Sequence, residues 1–195
     1  MDKFTFQKAD KLFFHDPFMR MTFLRLIPRN VYPNHITVFR FLATPLVAVL
    51  MYYQHYVIGL MAFLIVAFSD VIDGSLARTR DQITDWGKVY DPIADKILIG
   101  SMVFIIVLKY VDMWTSLVII ILEIMIVALA MIRKREGLVV EANRWGKMKM
   151  LFQVLGVTIL VLSIGFDLEK LLPFASRALY IAIAFAIISL LTYGI

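Results

Sequence analysis

Six long runs of apolar residues restrict what this chain can fold into more than any other feature of its sequence. Crossing the hydrocarbon core of a bilayer takes about 20 mostly apolar residues, and each run approaches that length. Backbone amides and carbonyls in lipid must bond within their own segment, which an α-helix achieves. We therefore predict an all-α, polytopic membrane protein with six transmembrane helices. The predicted spans are Ile36 to Tyr53, Val57 to Ala77, Asp91 to Leu108, Met113 to Ile132, Met148 to Phe166 and Ala178 to Tyr193.

The composition agrees with this class of protein. Apolar residues make up 61% of the 195 residues, and the mean hydropathy is +0.82, which is too high for a typical soluble domain. The absence of cysteine excludes disulfides, thiolate metal sites and cysteine nucleophiles. The first residues carry acids and no small-residue cleavage site, so we expect no cleaved signal peptide.

Lys and Arg are distributed unevenly among the segments that connect the spans. Six precede the first span, three lie between the second and third, and six lie between the fourth and fifth or at the very start of the fifth. The opposite side carries Lys109, Lys170 and Arg177. Because cytoplasmic loops are enriched in Lys and Arg, we expect both termini to be cytoplasmic.

The segment before the first span predicts an interfacial amphipathic helix. Asp16 is suited to the N-cap and Pro17 to the first helical position, while Pro28 should end the helix. Either this helix only orients the first span, or it contacts the substrate directly. We therefore divide the chain into an N-terminal cytoplasmic or interfacial segment, residues 1–30, and a membrane domain, residues 31–195.

Four aspartates occur where the second span ends and the third begins, in SDVIDGSLARTRDQITDWGKVYDPIADKI. Asp70 and Asp73 are three residues apart and Asp91 and Asp95 are four apart, so each pair shares a helix face. Acids next to hydrocarbon are costly and usually mark a functional site. Oxygen ligands suit Mg²⁺ or Mn²⁺, and four carboxylates can hold two such ions.

Small residues and one arginine accompany these acids. Gly74 and Ala77 keep one face of the second span thin, Arg78 can pair with phosphate oxygens, and Gly87 keeps the start of the third span open. Cations, an arginine and close backbone approach together indicate phosphoryl transfer. The alternative is a structural network in which the acids pair with nearby Lys and Arg.

The pattern D-x2-D-G-x2-A-R-x8-G-x3-D-x3-D, which starts at Asp70 and ends at Asp95, resembles the signature of the CDP-alcohol phosphotransferases. The resemblance extends to PNHITVFR, which begins at Pro33. It implies an enzyme that transfers the phosphatidyl group of CDP-diacylglycerol to an alcohol and releases CMP. It also implies an integral membrane protein of phospholipid biosynthesis that forms a homodimer, with no nucleic-acid partner.

The resemblance also implies a role for each residue of the motif. Asp70, Asp73 and Asp91 would hold the metal ions, and Asp95 would be the general base and share a metal. The cytidine diphosphate would lie against a set of small and polar residues. That set comprises Gly74, Ala77, Arg78, Gly87, Asn34 and Thr37. Arg40 is expected near the lipid headgroups, where it could serve as a snorkelling anchor.

The acceptor alcohol is less constrained by the sequence. YDPIADK and WGKMKMLFQ resemble segments of phosphatidylglycerophosphate synthases, which makes glycerol 3-phosphate the expected acceptor, with phosphatidylglycerol, inositol phosphate and serine as alternatives. Leu122 replaces an arginine of those synthases beside Glu123, whose role is either structural or in substrate binding. The candidate phosphate-binding residues are Lys147, Lys149, Arg133 and Arg144. The lysines could equally be headgroup anchors.

Two other classes of protein are compatible with intramembrane acids. One is a divalent-cation transporter, since acids also line ion paths. The acids here cluster at one end of two spans, and Gly74 to Arg78 has no purpose in such a path. The other is a catalytically inactive scaffold, which the intact set of acids argues against.

We predict that tags placed before Met1 and after Ile195 are both protected from protease in sealed right-side-out vesicles, because the Lys and Arg asymmetry puts both termini inside. His55→Cys is the control, since it should react from outside with a membrane-impermeant maleimide in a chain that has no other cysteine. Cleavage of either tag would overturn the six-span topology.

Overall fold

The computed structural model describes residues 16–28, 30–135 and 144–193, and of residues 130–131, 133–135 and 193 only the backbone. The regular structure of these ranges is helical, as predicted. A π-helical stretch, Val103–Val107, follows the helix Asp85–Met102 and leads into a single helical turn, Leu108–Tyr110. A 3₁₀ turn, Glu169–Leu171, precedes the helix Leu172–Tyr193. The α-helices are α1 (Asp16–Met21), α2 (Pro33–Tyr52), α3 (Tyr56–Thr79), α4 (Asp85–Met102), α5 (Leu108–Tyr110), α6 (Met113–Arg135), α7 (Arg144–Gly165) and α8 (Leu172–Tyr193).

Four helical segments in the described ranges are long and apolar enough to cross a membrane. They are Pro33–Tyr52, Tyr56–Thr79, Arg144–Gly165 and Glu169–Thr192. The apolar part of α6, Met113–Leu129, is shorter, and α4 carries five charged residues, two of which are the motif acids Asp91 and Asp95. The protein is therefore an integral membrane protein with several apolar helices, and the number six stays a prediction.

The chain divides into two compact units. The first unit comprises the described residues up to Val49 together with Met61–Leu98, and it contains all four motif aspartates. The second unit comprises Leu50–Leu60 and the described residues from Ile99 onward. The candidate catalytic acids therefore all lie within the first unit.

The N-terminal helix of the first unit is shorter than the sequence predicted. α1 ends at Met21, whereas we expected helix up to Pro28. The amide of Leu24 instead bonds to the carbonyl of Met19 at 2.9 Å, which closes the chain into a turn. This turn allows Met19 and Leu24 to pack together against Leu76 of α3, a burial that a continuous helix would not provide.

The second unit is held by close helix packing and by a capped helix. A Cβ on Gly156 of α7 would lie 2.9 Å from the side chain of Leu179 in α8, so a larger residue there would force this side chain to shift. At the start of α6, Asp112 accepts hydrogen bonds from the hydroxyl and the amide of Thr115 at 2.5 and 2.7 Å. These bonds lower the pKa of Asp112 and make it an N-cap.

Candidate active site

One buried guanidinium brings together carboxylates from two helices of the first unit. Arg40 of α2 is fully buried and donates from Nη1 to Asp70 and from Nη2 to Asp73, both on α3. Its Nη2 also lies 3.7 Å from Oδ1 of Asp91 on α4. Three of the four motif aspartates therefore surround a single positive charge.

A hydroxyl on the same face of α2 links two of these carboxylates. Thr37 precedes Arg40 by three residues, so the two side chains share one face of the helix. Its Oγ1 donates to Oδ1 of Asp91 at 2.5 Å and lies 3.4 Å from Oδ2 of Asp73. The side chain predicted to lie beside the nucleotide thus contacts the carboxylate cluster directly.

The start of α4 explains the glycine of the motif. Gly87 donates its amide to Oγ1 of Thr84 at 3.0 Å, and Thr84 donates to Oδ1 of Asn34 at 2.8 Å. A Cβ on Gly87 would lie 3.2 Å from Oδ2 of Asp91 and 3.2 Å from the Thr84 hydroxyl. Glycine therefore leaves room for both the helix cap and the Asp91 carboxylate.

The motif arginine lies at the end of α3 and pairs with the N-terminal helix. Arg78 donates from Nε and Nη2 to the carboxylate of Asp16 at 2.8 and 2.9 Å. Its Nη1 lies 3.2 Å from the position that a Cβ on Gly74 would take. The glycine that we expected to thin the helix face therefore makes room for the guanidinium of Arg78.

The other two motif residues are half-buried. Asp95 lies one turn beyond Asp91 on α4, and Ala77 lies next to Arg78 on α3. The contacts of Arg40 involve Asp70, Asp73 and Asp91, and Asp95 shares the helix face of Asp91 because four residues separate the two. Its role as a base stays a prediction.

The carboxylate cluster fits a divalent cation by its chemistry. The family is generally dependent on such cations, and the donors here are oxygens of carboxylates and of the Thr37 hydroxyl, the ligands that Mg²⁺ and Mn²⁺ prefer. Within the described residues, however, no three acidic or histidine side chains are arranged to hold a metal ion. Asp70, Asp73 and Asp91 instead contact the guanidinium of Arg40, which supplies the countercharge in this structure.

Arg40 is the residue whose importance the sequence analysis missed. We expected it near the headgroup level, where it could serve as a snorkelling anchor. The snorkelling role was wrong because the side chain is fully buried, and the position at the headgroup level stays a prediction. A charged residue in an apolar run should face a partner inside the protein. The acids of the neighbouring apolar runs, Asp70 and Asp73, were the signal that could have identified that partner.

The residues predicted to bind the acceptor lie in the second unit. Lys149 is buried and donates to Oε1 of Glu123 at 2.6 Å, so its ammonium is already paired with a carboxylate. Lys147 and Arg144 are exposed at the start of α7. The side chain of Arg133 lies outside the described residues.

Glu123 has the interior partner that an acid at this depth requires. Its Oε2 and Nε2 of Gln153 are buried and have no hydrogen-bond partner in the described part of the chain. Both residues line a cavity of about 10 Å³ together with Lys149, which is roughly the space of one water molecule. The position of Glu123 is therefore explained by a local polar cluster.

Comparison with known proteins gives a consistent result. The model of the CDP-alcohol phosphatidyltransferase family matches residues 30–189. A Bacillus subtilis (strain 168) protein named CDP-diacylglycerol--glycerol-3-phosphate 3-phosphatidyltransferase is 35% identical over 133 residues, which are 67% of this chain and 68% of that protein. Proteins of the same name from Rickettsia prowazekii (strain Madrid E) and Pseudomonas fluorescens are 30% identical over 140 residues and 33% identical over 138 residues. They are matched over 70% and 66% of this chain and over 77% and 71% of their own lengths.

We predict that Arg40→Gln destabilises the metal-free protein, because it leaves three clustered carboxylates without a countercharge. Removing one partner of a buried ion pair typically costs about 3–5 kcal/mol. The melting temperature in detergent with a chelator should fall well below that of the wild type, and excess Mg²⁺ should restore part of the difference. Arg40→Lys should lose less, since it keeps the charge. An unchanged melting temperature of Arg40→Gln in chelator would contradict this role.

Proposed function

The chain belongs to the CDP-alcohol phosphatidyltransferase family and is a phosphatidyltransferase, and on that basis we propose that it transfers the phosphatidyl group of CDP-diacylglycerol to glycerol 3-phosphate. CMP leaves, and the product is phosphatidylglycerophosphate. The observation that carries the proposal is the convergence of Asp70, Asp73 and Asp91 on Arg40 within the family motif. We take glycerol 3-phosphate as the acceptor because the similar proteins are named for it.

Different side chains of the first unit bind the phosphate groups and the cations in this reaction. Arg78 binds phosphate oxygens of the nucleotide through its planar donors. Asp70, Asp73, Asp91 and Asp95 would hold two divalent cations, Mg²⁺ or Mn²⁺, which would neutralise phosphate charge. Arg40 is the neighbouring positive charge that pairs with Asp70, Asp73 and Asp91.

Asp95 is the general base that removes the proton from the acceptor hydroxyl. A carboxylate is the natural proton acceptor beside phosphates whose charge is neutralised, and the resemblance of the motif to the family signature assigns this role to Asp95. The lipid chains of the substrate stay in the bilayer while the nucleotide reaches the ends of α3 and α4. The site opens to the cytoplasm in a six-span topology, as the distribution of Lys and Arg supports.

The acceptor is the part of the proposal that most needs an experiment. Leu122 stands where a phosphate-binding arginine is expected, and Lys149 is paired with Glu123. Lys147, Arg144 and Arg133 remain the proposed ligands for the acceptor phosphate. Phosphatidylglycerol, inositol phosphate and serine are the competing acceptors, and homodimer formation is a separate expectation.

The deciding experiment measures CMP release from CDP-diacylglycerol by the purified protein with each of these alcohols. Release should be fastest with glycerol 3-phosphate, should need Mg²⁺ or Mn²⁺, and should stop in excess chelator. A faster reaction with another alcohol would replace the acceptor and keep the chemistry. No release with any alcohol in the presence of metal would refute the function.

We predict that Asp95→Asn lowers turnover about 10²–10⁴-fold, the usual contribution of positioned proton transfer. Binding of CDP-diacylglycerol with Mg²⁺ should persist, since Asp70, Asp73 and Asp91 remain. CMP release and lipid-nucleotide binding should be measured on one preparation, with Asp85→Asn at an exposed position of the same helix as the control. Near-normal turnover would exclude Asp95 as the base. Loss of both CMP release and CDP-diacylglycerol binding would show that Asp95 is mainly a metal ligand.

A further inference from the structure

The buried ion pair between Asp16 and Arg78 joins the N-terminal helix, α1, to the part of the family motif that lies on α3. Asp16 is fully buried, and its carboxylate accepts from Ser75 Oγ at 2.8 Å in addition to the two bonds from Arg78. The guanidinium is therefore held along one edge by two parallel bonds, the geometry that fixes the orientation of an arginine most firmly.

The two partners come from different parts of the sequence. Arg78 belongs to the family motif, whereas Asp16 precedes the residues that match the family model, which begin at residue 30. A residue outside the matched region thus holds the arginine on which we propose that the nucleotide binds. Nothing in the motif itself supplies this carboxylate.

The packing around the pair keeps Asp16 in place. Met19 and Leu24 are buried against Leu76, which lies two residues before Arg78. Arg80 also donates from Nη2 to the carbonyl of Ile27 at 2.8 Å. Apolar contacts and backbone hydrogen bonds therefore anchor the N-terminal segment on both sides of the ion pair.

The pair also borders an open cleft of about 510 Å³, which is lined in part by Asp16, Arg78 and Arg20. The lining carries two aspartates, Asp16 and Asp81, as well as the two arginines, and Asp16 accepts two hydrogen bonds from Arg78. Of the guanidinium atoms, Nε and Nη2 face Asp16, and Nη1 lies on the opposite edge above Gly74. Asp16 thus occupies the Nε and Nη2 edge of the guanidinium and fixes its orientation.

We propose that Asp16 is a positioning residue that orients Arg78 to bind the diphosphate of the CDP-linked substrate. This rests on the proposed function. A long arginine side chain loses rotamer entropy when it is held in one orientation, and fixing it before the ligand arrives reduces the cost of binding. The N-terminal segment is then part of the nucleotide site and not only a lead-in to the first span.

The sign of the effect distinguishes orientation from simple charge balance. If Asp16 only neutralised Arg78, Asp16→Asn would make the site more positive and CDP would bind more tightly. If Asp16 orients Arg78, the same change frees the guanidinium and CDP binds more weakly. We expect the second result, with about a tenfold loss of affinity.

The test is a double-mutant cycle on the full-length protein in detergent, with CDP and Mg²⁺ as the probe in titration calorimetry. The variants are Asp16→Asn, Arg78→Gln and the two combined. Because Asp16 acts through Arg78, the double variant should bind CDP as weakly as Arg78→Gln alone. In kinetics, Asp16→Asn should raise the KM for CDP-diacylglycerol more than it lowers kcat.

Two further variants separate this role from a structural one. Ser75→Ala removes another bond to the same carboxylate and should leave CDP affinity within about twofold of the wild type. Arg78→Lys keeps the charge without the two-bond geometry, so it should weaken CDP binding even though Asp16 is intact. If Asp16→Asn fails to fold, Arg78→Lys decides, and near-normal affinity in that variant overturns the proposal.

Other outcomes overturn the proposal in distinguishable ways. Independent losses that add in the double variant, or unchanged or tighter binding by Asp16→Asn, would show that Asp16 serves packing alone while the proposed function stands. A wild-type protein that binds no CDP and releases no CMP would refute both the function and the positioning role.

Discussion

The pairing of Arg40 with three carboxylates is the interaction on which the first unit depends. Asp70, Asp73 and Asp91 come from two helices, and without a countercharge such acids could not stay ionised side by side in a membrane protein. Arg40 supplies the charge from a third helix and is itself fully buried. Ion pairs of this kind are only weakly stabilising overall, but losing one partner is costly. The three helices are therefore held in one specific arrangement.

Within α3, different side chains serve different partners within three turns. Asp70 and Asp73 contact Arg40 on α2, whereas Ser75 and Arg78 contact Asp16 on α1. The helical repeat of about 3.6 residues directs these groups to different sides. The motif is therefore compact in sequence because one helix carries both the acids that we propose to bind cations and the arginine that we propose to bind phosphate.

In the second unit, the acid within an apolar helix is paired with a lysine instead of an arginine. Glu123 pairs with Lys149 between two apolar helices, and Gln153 lies at the same small cavity. Such a pair is costly to break, because either charge alone would be left in an apolar interior. It accounts for the depth of Glu123 without a substrate, and it leaves the exposed Lys147 and Arg144 as candidates for the acceptor.

The sequence by itself determined the helical membrane architecture, the family and the identities of the motif residues. Apolar run length and the fixed spacing of acids, glycines and arginine are local properties, and local properties can be read along a chain. Only the tertiary structure decided which charges meet. Arg40 is 30 residues from Asp70, and Asp16 is 62 residues from Arg78. The early end of α1 has the same origin, because burial of Met19 and Leu24 on Leu76 outweighs the local preference for helix. Charge pairing and apolar burial depend on distances in space, which no spacing in the sequence specifies.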